Sequence, residues 1–344
     1  MKDLQSLPKV VLHDHLDGGL RPGTILDLAQ SIGYQGLPAA DEESLSRWFY
    51  QGEARSLEAY LGAFGHTAGV MQTPEAMHRA AFEALADHAA SGVVYAELRF
   101  APSLHTKLGM RMDEAIAGVL AGLEDGAEAF GVSSGLIVDA LRHNDDSVEV
   151  AQVAAGFAGR GVVAFDLAGP EAGFPPSGFA EACALAASGG LHLTIHAGEG
   201  AGFTSIAEAL EVGAERIGHG VRIIEDTASV AGRVASLGPV ATRVFEQRIP
   251  LEICPTSNLH TGMYPSAAAH PLGALHRAGF AVTLNTDNRL MSGVTITDEF
   301  GFAVEHQGFG RDDLRAVTLG AVEAAFCSEA ERAAIRERVL AGFG

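Results

Sequence analysis

Eight short apolar runs, spaced along the chain and separated by helical stretches, constrain this sequence more than any other feature. They are Lys9 to His13, Val93 to Phe100, Gly135 to Asp139, Val162 to Leu167, Leu191 to His196, Arg216 to His219, Ile249 to Cys254 and Phe280 to Thr286. Strands that alternate with helices build parallel βα units in one sheet. A chain of 344 residues is long enough to close such a sheet into a single (β/α)8 TIM barrel of the α/β class, with room for insertions. The expectation is therefore one domain over residues 1–344, with a helical insertion from about residue 20 to 90 after the first strand. Apolar residues make up 47% of the chain and aromatics only 7%, which suits short buried strands between alanine-rich helices.

Within the insertion, Asp41 to Tyr50 and Leu57 to Phe64 carry apolar residues at helical spacing. Two readings are open. The pair packs on the barrel as ordinary amphipathic helices, or Leu57, Tyr60, Leu61 and Phe64 form a lid that walls an apolar pocket, since βα loops build barrel active sites. Pro74 to Ala90 reads as a helix ending before Gly92, and Ser205 to Glu208 reads as a capping box that opens another.

The net charge is -20, and the only lysines are Lys2, Lys9 and Lys107. Phosphate backbones and anionic membranes are bound through clustered cations, so neither nucleic acid nor a membrane surface is expected as a partner. Cys183, Cys254 and Cys327 are far apart and odd in number, which suits buried thiols of a reducing compartment. The first residues lack the apolar core of a secretory signal, and no run is long and apolar enough to span a bilayer. A soluble cytoplasmic protein is expected; oligomeric state has no signature in the sequence.

Chemistry gathers at the ends of four strands. In His13-Asp14-His15 alternate side chains share a face of an extended strand, so the two imidazoles point together and Asp14 points away. Later strands end in His196-Ala197-Gly198-Glu199, Gly218-His219-Gly220 and Asn285-Thr286-Asp287-Asn288. In a barrel those ends meet at one mouth. The expected metal ligands are His13, His15, His196 and Asp287 around one zinc ion, which keeps a position for water and brings its ionisation towards neutral pH. His219 would orient that water and take its proton, Asp287 would also accept its hydrogen bond, and Glu199 would donate a proton to the substrate. The fourth strand has no lysine to bridge two ions; Asp166 or Glu171 are the alternatives, and one metal is the reading adopted. Gly198 to Gly202 lacks the pattern of a phosphate-binding loop.

Assembled, these residues resemble the adenosine deaminase family of amidohydrolase barrels, over about Lys9 to Ile296. The motifs are His-Asp-His-Leu-Asp-Gly at 13–18, Tyr-Ala-Glu-Leu-Arg-Phe-Ala-Pro at 95–102, Asp-Leu-Ala-Gly at 166–169, His-Ala-Gly-Glu at 196–199, Arg-Ile-Gly-His-Gly at 216–220, Cys-Pro-Thr-Ser-Asn at 254–258 and Asn-Thr-Asp-Asn at 285–288. The resemblance implies that activated water attacks carbon six of a purine nucleoside, Glu199 protonates ring nitrogen one, and ammonia leaves to give inosine. It places the Gly169 N–H at ring nitrogen three, Asp17 on a ribose hydroxyl, His15 on the substrate side as well as on the metal, and Ser257 behind the site.

The chain departs from the family pattern at Asn288, where a second aspartate is usual. An amide donates to ring nitrogen seven at every pH, whereas a carboxyl must first be protonated. Relatives that act on adenine or aminofutalosine tend to carry Glu at the position of Asp17, and the shorter acid leaves room for a sugar. Adenosine and 2′-deoxyadenosine are the expected substrates. A deaminase of a related 6-aminopurine, a catalytically dead nucleoside binder and a binuclear metallohydrolase are the alternatives. For Glu97 and Arg99 the sequence suggests only an ion pair with each other.

Overall fold

The computed structural model describes residues 4–230 and 233–344. Eight parallel strands follow one another around the sheet in chain order: β1 (Lys9–His15), β2 (Val93–Phe100), β3 (Ser133–Leu141), β4 (Val162–Ala168), β5 (His192–Ala197), β6 (Arg216–His219), β7 (Leu251–Ile253) and β8 (Val282–Leu284). The last strand meets the first through a parallel bridge between Asp14 and Asp287. There His15 N–H donates to the Asp287 carbonyl at 3.2 Å, and Asp287 N–H to the His13 carbonyl at 3.0 Å. The seam of the barrel thus runs through residues expected to hold metal.

Strand ends differ from expectation where site geometry intervenes. β1 continues to His15, so both of its histidines belong to the strand, while β8 stops at Leu284. Beyond it Asp287 adopts a left-handed backbone, φ 58°, which no strand residue can hold. A separate two-stranded antiparallel pair, Thr227–Val230 with Arg233–Leu237, follows β6 and has no counterpart in the sequence reading.

The insertion contains helices Pro22–Ile32, Glu42–Phe49, Leu57–Leu61, Phe64–Val70 and Pro74–Ala90. Asp41, Ser56 and Thr73 each cap a helix by accepting the N–H three residues on. The expected single stretch from Leu57 to Phe64 is two helices, broken at Gly62 and Ala63. The expected capping box at Ser205 is not one: Ser205 lies inside the helix Phe203–Glu211, whose N-cap is Gly202. Glu208 instead accepts from the Ser177 hydroxyl at 2.5 Å.

The barrel interior is charged. Glu97 and Arg99 share a face of β2, both fully buried, yet they do not pair with each other. Arg99 donates to Asp166 at 2.6 Å and Glu252 at 2.7 Å. Arg216 donates to Glu97 at 2.5 Å and to the other Glu252 oxygen at 2.7 Å. Residues two apart on one strand point the same way, so each finds its counter-ion across the barrel. Removing one member of such a set leaves a bare buried charge at a cost of about 3–5 kcal/mol. At the opposite end Lys9, fully buried, donates to the Leu4, Leu7 and Ser91 carbonyls at 2.6, 2.9 and 2.8 Å, which pins the first residues across the barrel floor.

Cys183 and Cys254 are buried as expected; Cys327 is only partly so, and all three are free thiols. No helix among the described residues is long and apolar enough to cross a membrane.

Candidate metal and acid-base centre

His13 and His15 project from one face of β1 into the mouth, and Asp14 from the other. There Asp14 accepts from Thr286 at 2.8 Å and Arg289 at 2.7 Å. The His15 and His196 Nε2 atoms are 3.2 Å apart, and Asp287 Oδ1 lies 3.7 Å from His13 Nε2 and 3.6 Å from His15 Nε2. His13 Nε2 is buried with no hydrogen-bond partner among the described residues.

A carboxylate stands behind each imidazole. Glu252 is 2.9 Å from His13 Nδ1, Asp166 is 2.8 Å from His196 Nδ1, and Asp139 is 3.3 Å from His15 Nδ1. Glu252 is hydrogen-bonded to His13 Nδ1 and so aims its Nε2 lone pair inward, while Asp166 and Asp139 are close anionic neighbours of the other two imidazoles. Convergent imidazole nitrogens plus one carboxylate oxygen, with an orphaned buried Nε2 among them, fit a divalent metal ion. Burial and the Arg99 charge keep the His13 imidazole well below its ordinary value. Burial acts the same way on His15, but Asp139 and Asp287 outweigh it and lift that imidazole to about 9.

Asp287 and His219 share a backbone feature: both are non-glycine residues with φ 58°. That conformation costs about 1–3 kcal/mol and persists only where neighbours enforce it. Asp287 is held on both oxygens, accepting from Ser257 Oγ at 2.5 Å and Asn288 Nδ2 at 2.6 Å. The loop after β5 is shaped by Glu171, which accepts the N–H groups of Gly198, Glu199 and Ala201 at 2.7, 2.9 and 2.9 Å. Asp166 is likewise engaged, with Arg99 and beside His196.

Glu199 is 7% exposed, and its Oε2 lies 3.5 Å from His219 Nε2. Burial, then the charges of Asp287 and Glu171, hold its carboxyl well above the ordinary range. Burial thus favours the protonated form of this carboxyl. Burial, followed by the charge of His196, keeps His219 neutral.

These groups open onto a cavity of about 210 Å³. Leu57, Tyr60, Leu61 and Phe64 from the insertion line it together with His15, His196, Glu199, His219 and Asp287, and Asp17, Gly169 and Asn288 are also on its wall. His13, fully buried, stands behind this lining. Gly169 has φ 86°, and a Cβ there would meet the His143 ring at 3.1 Å. A Cβ on Gly18 would overlap Asn288 Oδ1 at 2.0 Å, so that glycine makes room for the amide.

Sequence reading missed several contributors. Asp139 lines the cavity, is nearly fully buried, and neither of its oxygens has a hydrogen-bond partner among the described residues. An acid closing a strand was the signal that found Asp287, and it applied equally to Asp139. Glu252, Asn258 and His270 act from behind other residues; Asn258 closes the motif at 254–258 but was given no role, and nothing in the spacing of Glu252 and His270 marks them.

The family profile described as adenosine deaminase matches residues 8–341. An adenosine deaminase from Mycobacterium leprae is 48% identical over 347 aligned positions, covering 99% of this chain and 96% of that one. Among solved structures, an adenine deaminase from Arthrobacter aurescens superposes with a TM-score of 0.88 at 31% identity, covering 97% of this chain and 98% of that one. An amidohydrolase from Burkholderia ambifaria, solved with bound zinc, superposes with a TM-score of 0.85 at 25% identity, covering 99% and 91%.

Proposed function

The chain belongs to the adenosine deaminase family, and from that premise we infer that it is a hydrolase converting adenosine and 2′-deoxyadenosine to inosine and 2′-deoxyinosine with release of ammonia. One observation carries the reading. A buried carboxyl held above its ordinary range, Glu199, a buried imidazole, His219, and a group of side chains able to hold a metal ion face one apolar-walled cavity.

His13, His15, His196 and Asp287 would hold one zinc ion per chain. When bound, zinc supplies a Lewis acid that lets water ionise near neutral pH. The remaining work falls to the protein's own groups. Gly169 N–H, Asp17, His15 and Asn288 orient the nucleoside, with the Asn288 amide at ring nitrogen seven. Glu199 gives its proton to ring nitrogen one as water oxygen bonds to carbon six. His219 orients that oxygen and, with Asp287 beside it, receives the proton it sheds. As the bond from carbon six to the amino group breaks, that proton leaves with the nitrogen as ammonia, and the hydroxyl proton restores Glu199.

Residues 1–344 act in this scheme as one domain, with the insertion as a lid; the position of Leu57, Tyr60, Leu61 and Phe64 on the cavity supports it. Three free thiols favour work in the cytoplasm. Among the described residues the cavity lining contains no lysine or arginine, which favours an uncharged nucleoside over a nucleotide.

Because a solved neighbour is an adenine deaminase, the free base is the second reading. Ultraviolet spectroscopy with adenosine, 2′-deoxyadenosine, adenine and aminofutalosine separates the two, alongside metal analysis of the purified protein. Conversion of the nucleosides with about one zinc per chain is expected. Conversion of adenine alone, or two tightly held ions, would overturn the assignment.

A further inference from the structure

Hydrogen bonds behind His219 decide which of its nitrogens carries a proton. The chain of contacts begins at a donor whose role is unambiguous. Leu272 N–H donates to His270 Nδ1 at 3.2 Å, so that nitrogen is an acceptor. In a neutral imidazole the hydrogen then sits on Nε2. His270 is neutral, because burial pushes it down to about 3. Its Nε2 lies 3.2 Å from Asn258 Oδ1, which orients the amide with oxygen towards His270. The Asn258 Nδ2 faces His219 Nδ1 at 3.0 Å. An amide nitrogen only donates, so His219 Nδ1 accepts. A proton there would confront another N–H. The hydrogen of His219 is left on Nε2, the nitrogen 3.5 Å from Glu199 Oε2.

We propose that Asn258 and His270 are positioning residues that lock His219 in the Nε2–H form, so that His219 donates a hydrogen bond to the attacking oxygen and does not take its proton. This rests on the deaminase reading above and removes one of the two tasks the sequence assigns to His219. An N–H aimed at an oxygen on which charge develops stabilises the transition state without reorganisation. Water oxygen bonds to carbon six as the double bond to ring nitrogen one opens. One water proton passes to Asp287, and that nitrogen receives the proton of Glu199. The proton on Asp287 later departs with the amino group.

The signature is spectroscopic. In ¹⁵N-labelled, zinc-loaded enzyme, long-range ¹H–¹⁵N correlation should give His219 an acceptor-type Nδ1 and a protonated Nε2, the signal being assigned by its loss in His219→Asn. Asn258→Asp presents a carboxylate where the amide N–H stood, so the proton should move to Nδ1. kcat should then fall by about 100-fold or more, the scale on which a wrong tautomer damages proton-coupled catalysis, with KM within about threefold. His270→Phe frees the amide to rotate and should give both tautomers. A wild-type His219 protonated at Nδ1, or Asn258→Asp with kcat within twofold of wild type, would overturn the proposal. If the variants do not fold, the wild-type spectrum alone decides it. A wild-type enzyme with the Nε2–H signature that leaves adenosine unchanged would sink the deaminase reading, and with it the role given to His219.

Discussion

Glu252 Oε2 lies 2.9 Å from His13 Nδ1, and both side chains are fully buried. The same oxygen accepts from Arg99 at 2.7 Å, while its twin accepts from Arg216 at 2.7 Å and Thr194 at 2.8 Å. One carboxylate therefore orients an expected metal ligand and neutralises the middle of the barrel. Glu252→Gln keeps the volume and removes the charge. Zinc affinity should fall by about 10–100-fold, read by chelator competition, and the melting temperature should fall because two buried guanidinium groups lose a counter-ion. Unchanged values of both would reduce Glu252 to filler.

Glu199→Gln tests the acid. The amide has no proton to give at the required acidity, so kcat should fall by about 100-fold or more while zinc content stays at the wild-type level. Turnover retained within a few fold would move the acid elsewhere in the cavity.

Asn288 stands where the family usually carries an acid, and its amide nitrogen is 2.6 Å from Asp287 Oδ1. Asn288→Ala removes that donor and a group on the cavity wall. Steady-state assays should show KM raised or kcat lowered by about tenfold or more for adenosine, the size of a lost hydrogen bond to a charged partner. An unchanged kcat/KM would take Asn288 out of the site.

Glu299 predicts a pH dependence of stability. It is fully buried, its carboxylate oxygens accept from Thr256 N–H at 3.3 Å, and burial outweighs the Thr256 hydrogen bonds to lift it from an ordinary 4.5 to about 8. The folded protein holds this proton where the unfolded chain releases it. Its favourable contribution is complete below pH 4.5 and is lost as pH rises towards 8, at no more than about 1.4 kcal/mol per pH unit. Glu299→Gln mimics the protonated form. It should melt a few degrees higher than wild type near pH 8 and level with it at pH 4. An equal difference at both pH values would point to packing instead of the proton.

Period and punctuation determined much of this protein from sequence alone. Eight strands, the shared direction of His13 and His15, and the convergence of His196, His219 and Asp287 follow from local alternation and from the rule that parallel barrel strands end at one mouth. Only tertiary structure decided the rest. Glu97 and Arg99, neighbours on one strand, find their partners across the barrel because a buried charge seeks the nearest opposite charge in space. The left-handed turns at His219 and Asp287, which aim the two side chains, are paid for by contacts from other strands. The proton on His219 is placed by Leu272, His270 and Asn258, none adjacent to it in the chain. Hydrogen-bond direction and buried charge belong to the assembled barrel, so no window of sequence carries them.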